Sequence, residues 1–599
     1  MRFSRQLLAE IVRQGFDSVD RGIFLVFHRE SELTYIAISP DRILYPYEWN
    51  HDTALVVKYQ ADVIRALAER NYPVPRSFLL SRLRVLCQIF ETHMWAMHSD
   101  GMLPHIVFFQ DLPDEWVTYF PGPDYWHPAQ SRIGIRTSSI NQPPHHGETL
   151  CALDRAHRAL HDGERTLAFS QWLNQRLLEV VQALGYFHRA PGKRYNGLFV
   201  QTHPWANGWD NSPPVLRLLE ERITPDLWDE TAEEQRKDVT VLRTEEGGYN
   251  VLAGRANPRV RPEPPFYNQA MGIVRQMQRV DTLYNRARLG EVSREEVMSQ
   301  LKAWPTFSLN SESITDNVWS YLSQRDHEGY LPETSWQLLQ ANLREFGYPI
   351  WVVDPQATGI LQRSQRQALE IAKALHNLEM VDRLNQYVTE TQKNAMHIWT
   401  RGDGHQPWLA FDWHQQNFLE GLTPQVLGPL YGQFITGLEA VDRLIDILDG
   451  PLFQHGEQIC FESLILSADP ADPLYDPLRY WRGPKGWVFQ QQQLYQIVRD
   501  FIAQPPRGLE AWKLQRLKEA FESMRVDLLR VAQCYGAPEN IFSLPGLEIP
   551  NTFYSAREYI PEDAPGLTRQ GGCPAMDIDR RPSFLPQAVF NQLVAVECY

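Results

Sequence analysis

HDTALVVKYQADVIRALAERN, residues 51–71, and PRSFLLSRLRVLCQIFETHMWAMH, residues 75–98, decide what kind of molecule this is. Both place apolar residues at three- and four-residue spacing, the period of an α-helix rather than the alternation of a strand. Only Tyr72-Pro73-Val74 separates them, so they read as consecutive helices.

A second pair follows at Glu148–His161 and Thr166–His188, parted by the turn signal Asp162-Gly163. Further candidates are Phe266–Ala287, Ser313–Arg325, Pro332–Phe346, Ile360–Leu378, Asp382–Ile398, Pro429–Leu448, Leu494–Ile502, Leu509–Gln533 and Pro586–Val596. Helix after helix with long alternate loops predicts an all-α toroid of paired helices, with short turns on one rim and elaborated loops on the other. Twelve core helices would use most of the chain, so one barrel over 49–599 is expected rather than several small domains. Residues 1–48 read as a short lead-in: a helix over Gln6–Gln14, then a hairpin of the alternating runs Ile23–Phe27 and Leu33–Ile38. Residues 227–265 turn polar, charged and proline-rich, and read equally as a lid-like insertion or as a solvated loop.

The 599 residues are 43% hydrophobic and 22% charged, which permits a large core and excludes global disorder. A net charge of −15 argues against a nucleic-acid partner, which demands a basic face, and against an anionic membrane surface. No segment approaches the ~20 apolar residues of a membrane span. The N-terminus lacks the apolar run of a signal peptide, so a soluble, cytoplasmic protein is expected. Cys87, Cys151, Cys460, Cys534, Cys573 and Cys598 lie far apart with no Cys-x-x-Cys pair, and read as reduced thiols rather than disulfides or a zinc site. The chain leaves a homo-oligomer open.

The chemistry concentrates in loops. Gly101–His146 is long, aromatic and proline-rich, and includes Gly101-Met102-Leu103-Pro104-His105, Tyr119–Trp126 and Asn141-Gln142-Pro143-Pro144. Loops of this length usually have a function. Between the strand-like Leu198-Phe199-Val200 and a helix near Val215 lies His203-Pro204-Trp205-Ala206-Asn207-Gly208-Trp209-Asp210-Asn211-Ser212-Pro213. Trp205 and Trp209 offer flat apolar surface that stacks on a sugar ring and raises the pKa of a nearby carboxyl. Gly208 lets the backbone approach closely. Asp-Asn-Ser-Pro is also ordinary helix-entry chemistry, with Asp or Asn as cap and Pro in the first turn. Far downstream come Arg479-Tyr480-Trp481-Arg482-Gly483-Pro484 and Ala556-Arg557-Glu558-Tyr559-Ile560-Pro561-Glu562-Asp563.

Hydrolysis of a glycoside with inversion needs a protonated carboxyl on one side of the bond and a carboxylate on the other. A separation of ~6.5–9.5 Å leaves room for the attacking water, and the two environments must push the pKa values apart. Asp210, flanked by Trp205 and Trp209, suits the acid. Glu558, beside Arg557 and Tyr559, suits the base, with Glu562 and Asp563 as competitors.

Taken in order, these stretches with Val352–Pro355 resemble glycoside hydrolase family 63, especially the bacterial branch acting on mannosylglycerate and glucosylglycerate. The likeness covers roughly residue 49 to the end. It implies an (α/α)6 barrel, an inverting mechanism, a small carbohydrate substrate, no cofactor and no catalytic metal. Asp210 falls on the family's general acid and Glu558 on its general base. Trp481 and Arg482 fall in its sugar-contacting Trp-Arg-Gly-Pro segment, Gln142 on a pocket residue, and Trp49 with Asp52 on an early Trp-Asp motif. Tyr119, Trp126, Trp205 and Trp209 complete the expected substrate contacts.

Pro214-Val215-Leu216 replaces the family's Arg-Trp-Asp, and Lys485-Gly486-Trp487 its Val-Trp; Ser583-Phe584-Leu585 stands where Gly-Trp is usual. Those changes bear on substrate more than reaction: glucosylglycerol, glucosylglycerate or mannosylglycerate fits. A glycerate carboxylate calls for a cation such as Arg482 or Lys485. Helical toroids also carry epimerases, lyases and phosphorylases, and a sugar-sensing protein is a non-enzymatic alternative. His93 and His98 lie off one helical face and His145-His146 stand alone, so no metal-ligand set is expected.

Overall fold

The computed structural model describes residues 4–28, 33–40, 47–70, 72–109, 130–138, 141–189, 197–201, 206–208, 212–214, 239–243, 249–253, 293, 296, 352–400, 408–413, 415–453, 464–473, 488–535, 537, 540–543, 550–553 and 584–598. The described residues delimit twelve α-helices: α1 (Arg5–Gly22), α2 (Asn50–Glu69), α3 (Arg76–Met94), α4 (His146–Ala159), α5 (Leu167–Arg189), α6 (Pro355–Ala374), α7 (Leu378–Trp399), α8 (Gly428–Tyr431), α9 (Gly437–Asp449), α10 (Val488–Ala503), α11 (Ala511–Tyr535) and α12 (Leu585–Cys598). A 3-10 turn, Pro424–Leu427, leads into α8.

Sequence pattern sorts these helices into two layers. α1 buries Leu8, Ile11, Val12, Gly15, Phe16, Ser18, Val19 and Gly22, a stripe along one helical face. α2 and α12 are buried almost all round, as a helix enclosed by other helices must be. The even-numbered helices close a ring by contact: α2 on α4, α4 on α6, α6 on α8, α8 on α10, α10 on α12, and α12 back on α2. The odd-numbered helices lie outside, α1 on α12, α3 on α2, α5 and α7 on α6, α11 on α10 and α9 on α11. Among the described residues, inner and outer helices alternate in chain order. This is an (α/α)6 barrel.

Ring closure demands near contact of backbones. A Cβ on Gly359 would fall 2.2 Å from the Gly428 carbonyl oxygen, and one on Gly147 would fall 2.0 Å from that of Ser364. Only glycine lets α6 approach α8 and α4 this closely.

Connections from inner to outer helix are the short spans 70–75, 160–166, 375–377, 432–436 and 504–510. Those from outer to inner are long, including 95–145, 190–354 and 450–487. The expected division into a short-turn rim and a decorated rim is present. Within residues 1–48, α1 joins the same hydrophobic core as α12, and the hairpin Ile23–His28 with Leu33–Ile38 forms in antiparallel register. Of the 227–265 stretch, only the paired strands Val239–Arg243 and Tyr249–Ala253 fall in the described residues.

Helix boundaries depart from expectation: α1 runs to Gly22 rather than ending at Gln14, and α7 starts at Leu378, capped by Asn377, rather than at Asp382. Pro429–Leu448 is two helices, because the chain turns at Gln433 (φ 56°) and Gly437 (φ 68°). α6 starts at Pro355 rather than Ile360, since Asp354 caps it and proline suits its first turn. α10 starts at Val488 rather than Leu494, because its glutamine-rich first turns are buried. The candidates Phe266–Ala287, Ser313–Arg325 and Pro332–Phe346 lie outside the described residues.

Candidate active site

Side-chain contacts bring the N-terminal ends of the inner helices together at the decorated rim. Gln142, just before α4, accepts the backbone N–H of His51 at 3.0 Å, satisfying an amide that the first turn of α2 leaves open. The His51 ring stacks on His145 (4.7 Å) and on Phe489 at the start of α10 (4.4 Å). Phe489 in turn meets Phe584, beside α12, edge-on at 6.4 Å. On the other side Asp354 (α6) bonds Gln425 in the 3-10 turn, and Gln356 donates to Gln493 of α10.

Asp354 ties two sequence cassettes to this rim. Val200–Gln201 pairs antiparallel with Val352–Val353, so the strand-like Leu198-Phe199-Val200 run ends beside the Val-x-Asp-Pro motif. Asn207 then donates to Asp354 Oδ2 at 3.0 Å, Gln425 donates to the same oxygen at 2.9 Å, and the Ala357 N–H donates to Oδ1 at 2.9 Å. Burial pushes the Asp354 carboxyl up; the three donors pull against it without cancelling it. Gly208 adopts φ 75°, the left-handed region that glycine enters without strain, so its role is conformational as well as steric.

Below the rim lies a buried ionic cluster. Glu148 receives Lys58 Nζ at 2.7 Å and the Tyr431 hydroxyl at 2.6 Å on one oxygen, and lies 3.0 Å from His145 Nδ1 on the other. Arg363 approaches it at 3.5 Å. Burial alone would raise the Glu148 carboxyl, but Lys58, His145 and Arg363 outweigh it and hold it well below the usual range. A carboxylate on Nδ1 makes that nitrogen the proton-bearing one, so His145 Nε2 accepts from His51 Nε2 at 3.0 Å. Burial keeps both imidazoles neutral, with pKa values below the ordinary one.

A second histidine pair stands beside it. His93 Nε2 lies 3.0 Å from His146 Nε2 and 3.2 Å from Asn50 Oδ1, and its Nδ1 meets Glu48. The expectation that His145-His146 stand alone is therefore corrected: the barrel brings residues distant in sequence into stacked, bonded pairs. Among the described residues no group of three or more His, Cys, Asp or Glu has the arrangement of a metal site.

Three of the expected site residues fall in the described residues, and one of them, Asp52, is half-buried in the first turn of α2. Gln142 is buried at the N-terminus of α2, as above. Trp49 is buried as the N-cap residue of α2, its indole edge-on to His105 at 4.8 Å. Asp210, Glu558, Tyr119, Trp126, Trp205, Trp209, Trp481 and Arg482 lie outside the described residues. Asp354, Asn207 and Gln425 carry the described geometry but were given no role from sequence. The only signal was an Asp-Pro helix entry inside a motif already singled out.

Residues 80–538 match the mannosylglycerate hydrolase MGH1-like glycoside hydrolase domain. The chain belongs to that family. It is a glycoside hydrolase. Mannosylglycerate hydrolase of Thermus thermophilus is 25% identical over 476 residues, covering 77% of this chain and 84% of that protein. Mannosylglycerate hydrolase of Rubrobacter radiotolerans is 34% identical over 184 residues, 30% of this chain and 35% of that one. The crystal structure of the family 63 mannosylglycerate hydrolase of Thermus thermophilus in complex with Tris superposes with a TM-score of 0.55 at 20% identity, covering 97% of this chain and 99% of that one, and shows the same fold.

Proposed function

We propose that this chain hydrolyses a small α-hexoside of the compatible-solute type with inversion at the anomeric carbon, mannosylglycerate first among the substrates. Glucosylglycerate and glucosylglycerol, which differ in the sugar's configuration or lack the carboxylate, belong to the same screen. Supporting the reading most directly is the hydrogen bond from Asn207 to Asp354, which holds Asn207 at the converging ends of the inner helices. Three residues on, Asp210 is the proton donor and the distant Glu558 activates water. The family matches support mannosylglycerate in particular, because the relatives carrying that name match this chain both over most of its length and over shorter stretches.

In this mechanism a neutral Asp210 gives its proton to the glycosidic oxygen as the bond breaks. Glu558 accepts a proton from the water attacking the opposite face. The 49–599 barrel with its 227–265 insertion serves as one catalytic unit. Hydrolysis of mannosylglycerate, followed by proton NMR of the released sugar, tests this. Free mannose appearing first as the β-anomer is the expected result; phosphate dependence, an isomerised sugar or retained configuration overturns it. Asp210→Asn and Glu558→Gln each lower kcat by about 10²–10⁴-fold or more with the fold intact, and near-native turnover in either removes that residue from its role.

A further inference from the structure

Four consecutive glutamines, Gln490 to Gln493, open the inner helix α10 at the decorated rim. All four are buried, and three have evident structural work. Gln491 both donates to the Ile465 carbonyl (2.9 Å) and accepts the Ile465 N–H (3.0 Å). Gln492 donates to the Pro586 carbonyl at 3.4 Å, and Gln493 accepts from Gln356. Gln490 is fully buried, yet neither its Nε2 nor its Oε1 has a hydrogen-bond partner among the described residues. A primary amide buried with both ends unmade costs about 1–3 kcal/mol at each end, and a fold does not retain it for stability.

Its direction follows from its neighbours. Phe489 reaches His51 of α2, and Gln493 reaches Gln356 of α6. Neither α2 nor α6 adjoins α10 in the ring, so both side chains cross the barrel interior. On a helix Gln490 is about 100° from Phe489 and about 60° from Gln493, on the same inward half and one turn closer to the rim than Gln493. It thus points into the barrel interior from the side of α10 that Phe489 and Gln493 use to reach α2 and α6.

We propose that Gln490 is a substrate-binding residue that reads two neighbouring hydroxyls of the hexose. A carboxamide offers a donor and an acceptor side by side, which matches a vicinal diol. A glycerate carboxylate would require donors alone, so the sugar, not the aglycone, is the ligand assigned. The assignment deepens the hydrolase reading and rests on its substrate class.

The test uses the full chain and its leucine variants at the two neighbouring glutamines, with titration of D-mannose and D-glucose by calorimetry and thermal melting. Gln490→Leu is expected to bind the preferred hexose about 10–100-fold more weakly, with kcat/KM lower by a similar factor. Its melting point stays at or above wild type, because the orphaned amide is gone. Gln491→Leu, which loses two bonds and orphans the Ile465 peptide groups, melts earlier. Wild-type hexose affinity in Gln490→Leu, early melting like that of Gln491→Leu, or no binding of either hexose by the wild-type chain overturns the assignment. Because binding is read without turnover, an Asp210→Asn chain that still hydrolyses the glycoside overturns the proton-donor reading alone and leaves this one standing.

Discussion

The ionic cluster around Glu148 and the amide-rich rim above it are both buried and polar, but their bonding differs. In the cluster each Glu148 oxygen is engaged, and Lys58, Tyr431, Arg363 and His145 converge on one carboxylate. Along the rim, Gln490 and the Ser212 hydroxyl are buried without a hydrogen-bond partner among the described residues. The cluster engages both oxygens of its carboxylate, although Arg363 Nε beside it makes no hydrogen bond among the described residues. A surface that serves a ligand keeps donors and acceptors for it, at a cost in stability.

Breaking the cluster should have the largest effect. Glu148→Gln leaves Lys58 as a buried cation without its carboxylate, while Arg363 keeps Asp500 at 2.9 Å, and is expected to cost about 3–5 kcal/mol in chemical denaturation. A loss under 1 kcal/mol would show that the cluster does not hold the barrel. Next comes Asp354→Ala, which removes the α6 cap and the hydrogen bonds from Asn207 and Gln425. About 2–3 kcal/mol is expected, with turnover per folded molecule also reduced because Asn207 loses this contact with α6. Unchanged turnover would confine Asp354 to stability.

The buried histidines predict a pH dependence. Burial pushes His105 down to about 3, and His51, His145 and His146 also lie below the ordinary value. These groups are neutral when folded and take protons on unfolding below about pH 6.5, so acid favours the unfolded chain and stability falls as pH drops. For His105 this extends from about pH 6.5 to about 3. His105→Gln should flatten the stability–pH curve over that range by about 1.4 kcal/mol per pH unit. An unaltered slope would mean that the unfolded chain gains no extra proton there. Glu148 acts in the same direction but later: its depressed pKa contributes stability above the ordinary carboxylate value, lost only as pH falls through the folded value. The smallest expected loss of stability is that of Gln490→Leu, which loses none and gains up to about 1–3 kcal/mol for each end of the orphaned amide, against a clear loss of sugar binding.

Much of this was legible in the linear chain because it depends on local period. The spacing in 51–71 and 75–98 marks helices whatever surrounds them, and the alternation of short and long connections follows from their positions. Boundaries failed where burial overrode propensity. The glutamine run at 490–493 resembles a polar loop until the barrel encloses it, and the chain reverses at Gln433 and Gly437 within an apolar pattern that otherwise reads as one helix. The histidines were misread for the same reason. His51 and His145 are 94 positions apart, and only ring closure stacks them.

Residue order by itself determined the all-helical class, the repeated pairing and the carbohydrate-hydrolase motifs, since each is written within a few turns of chain. Tertiary structure alone decided which polar groups are spent on one another and which stay open at the rim. Asp354 meets Asn207 across 147 positions, and Gln490 meets no partner while its three neighbours do. Hydrogen-bond satisfaction depends on where distant backbones arrive, and no local pattern encodes that.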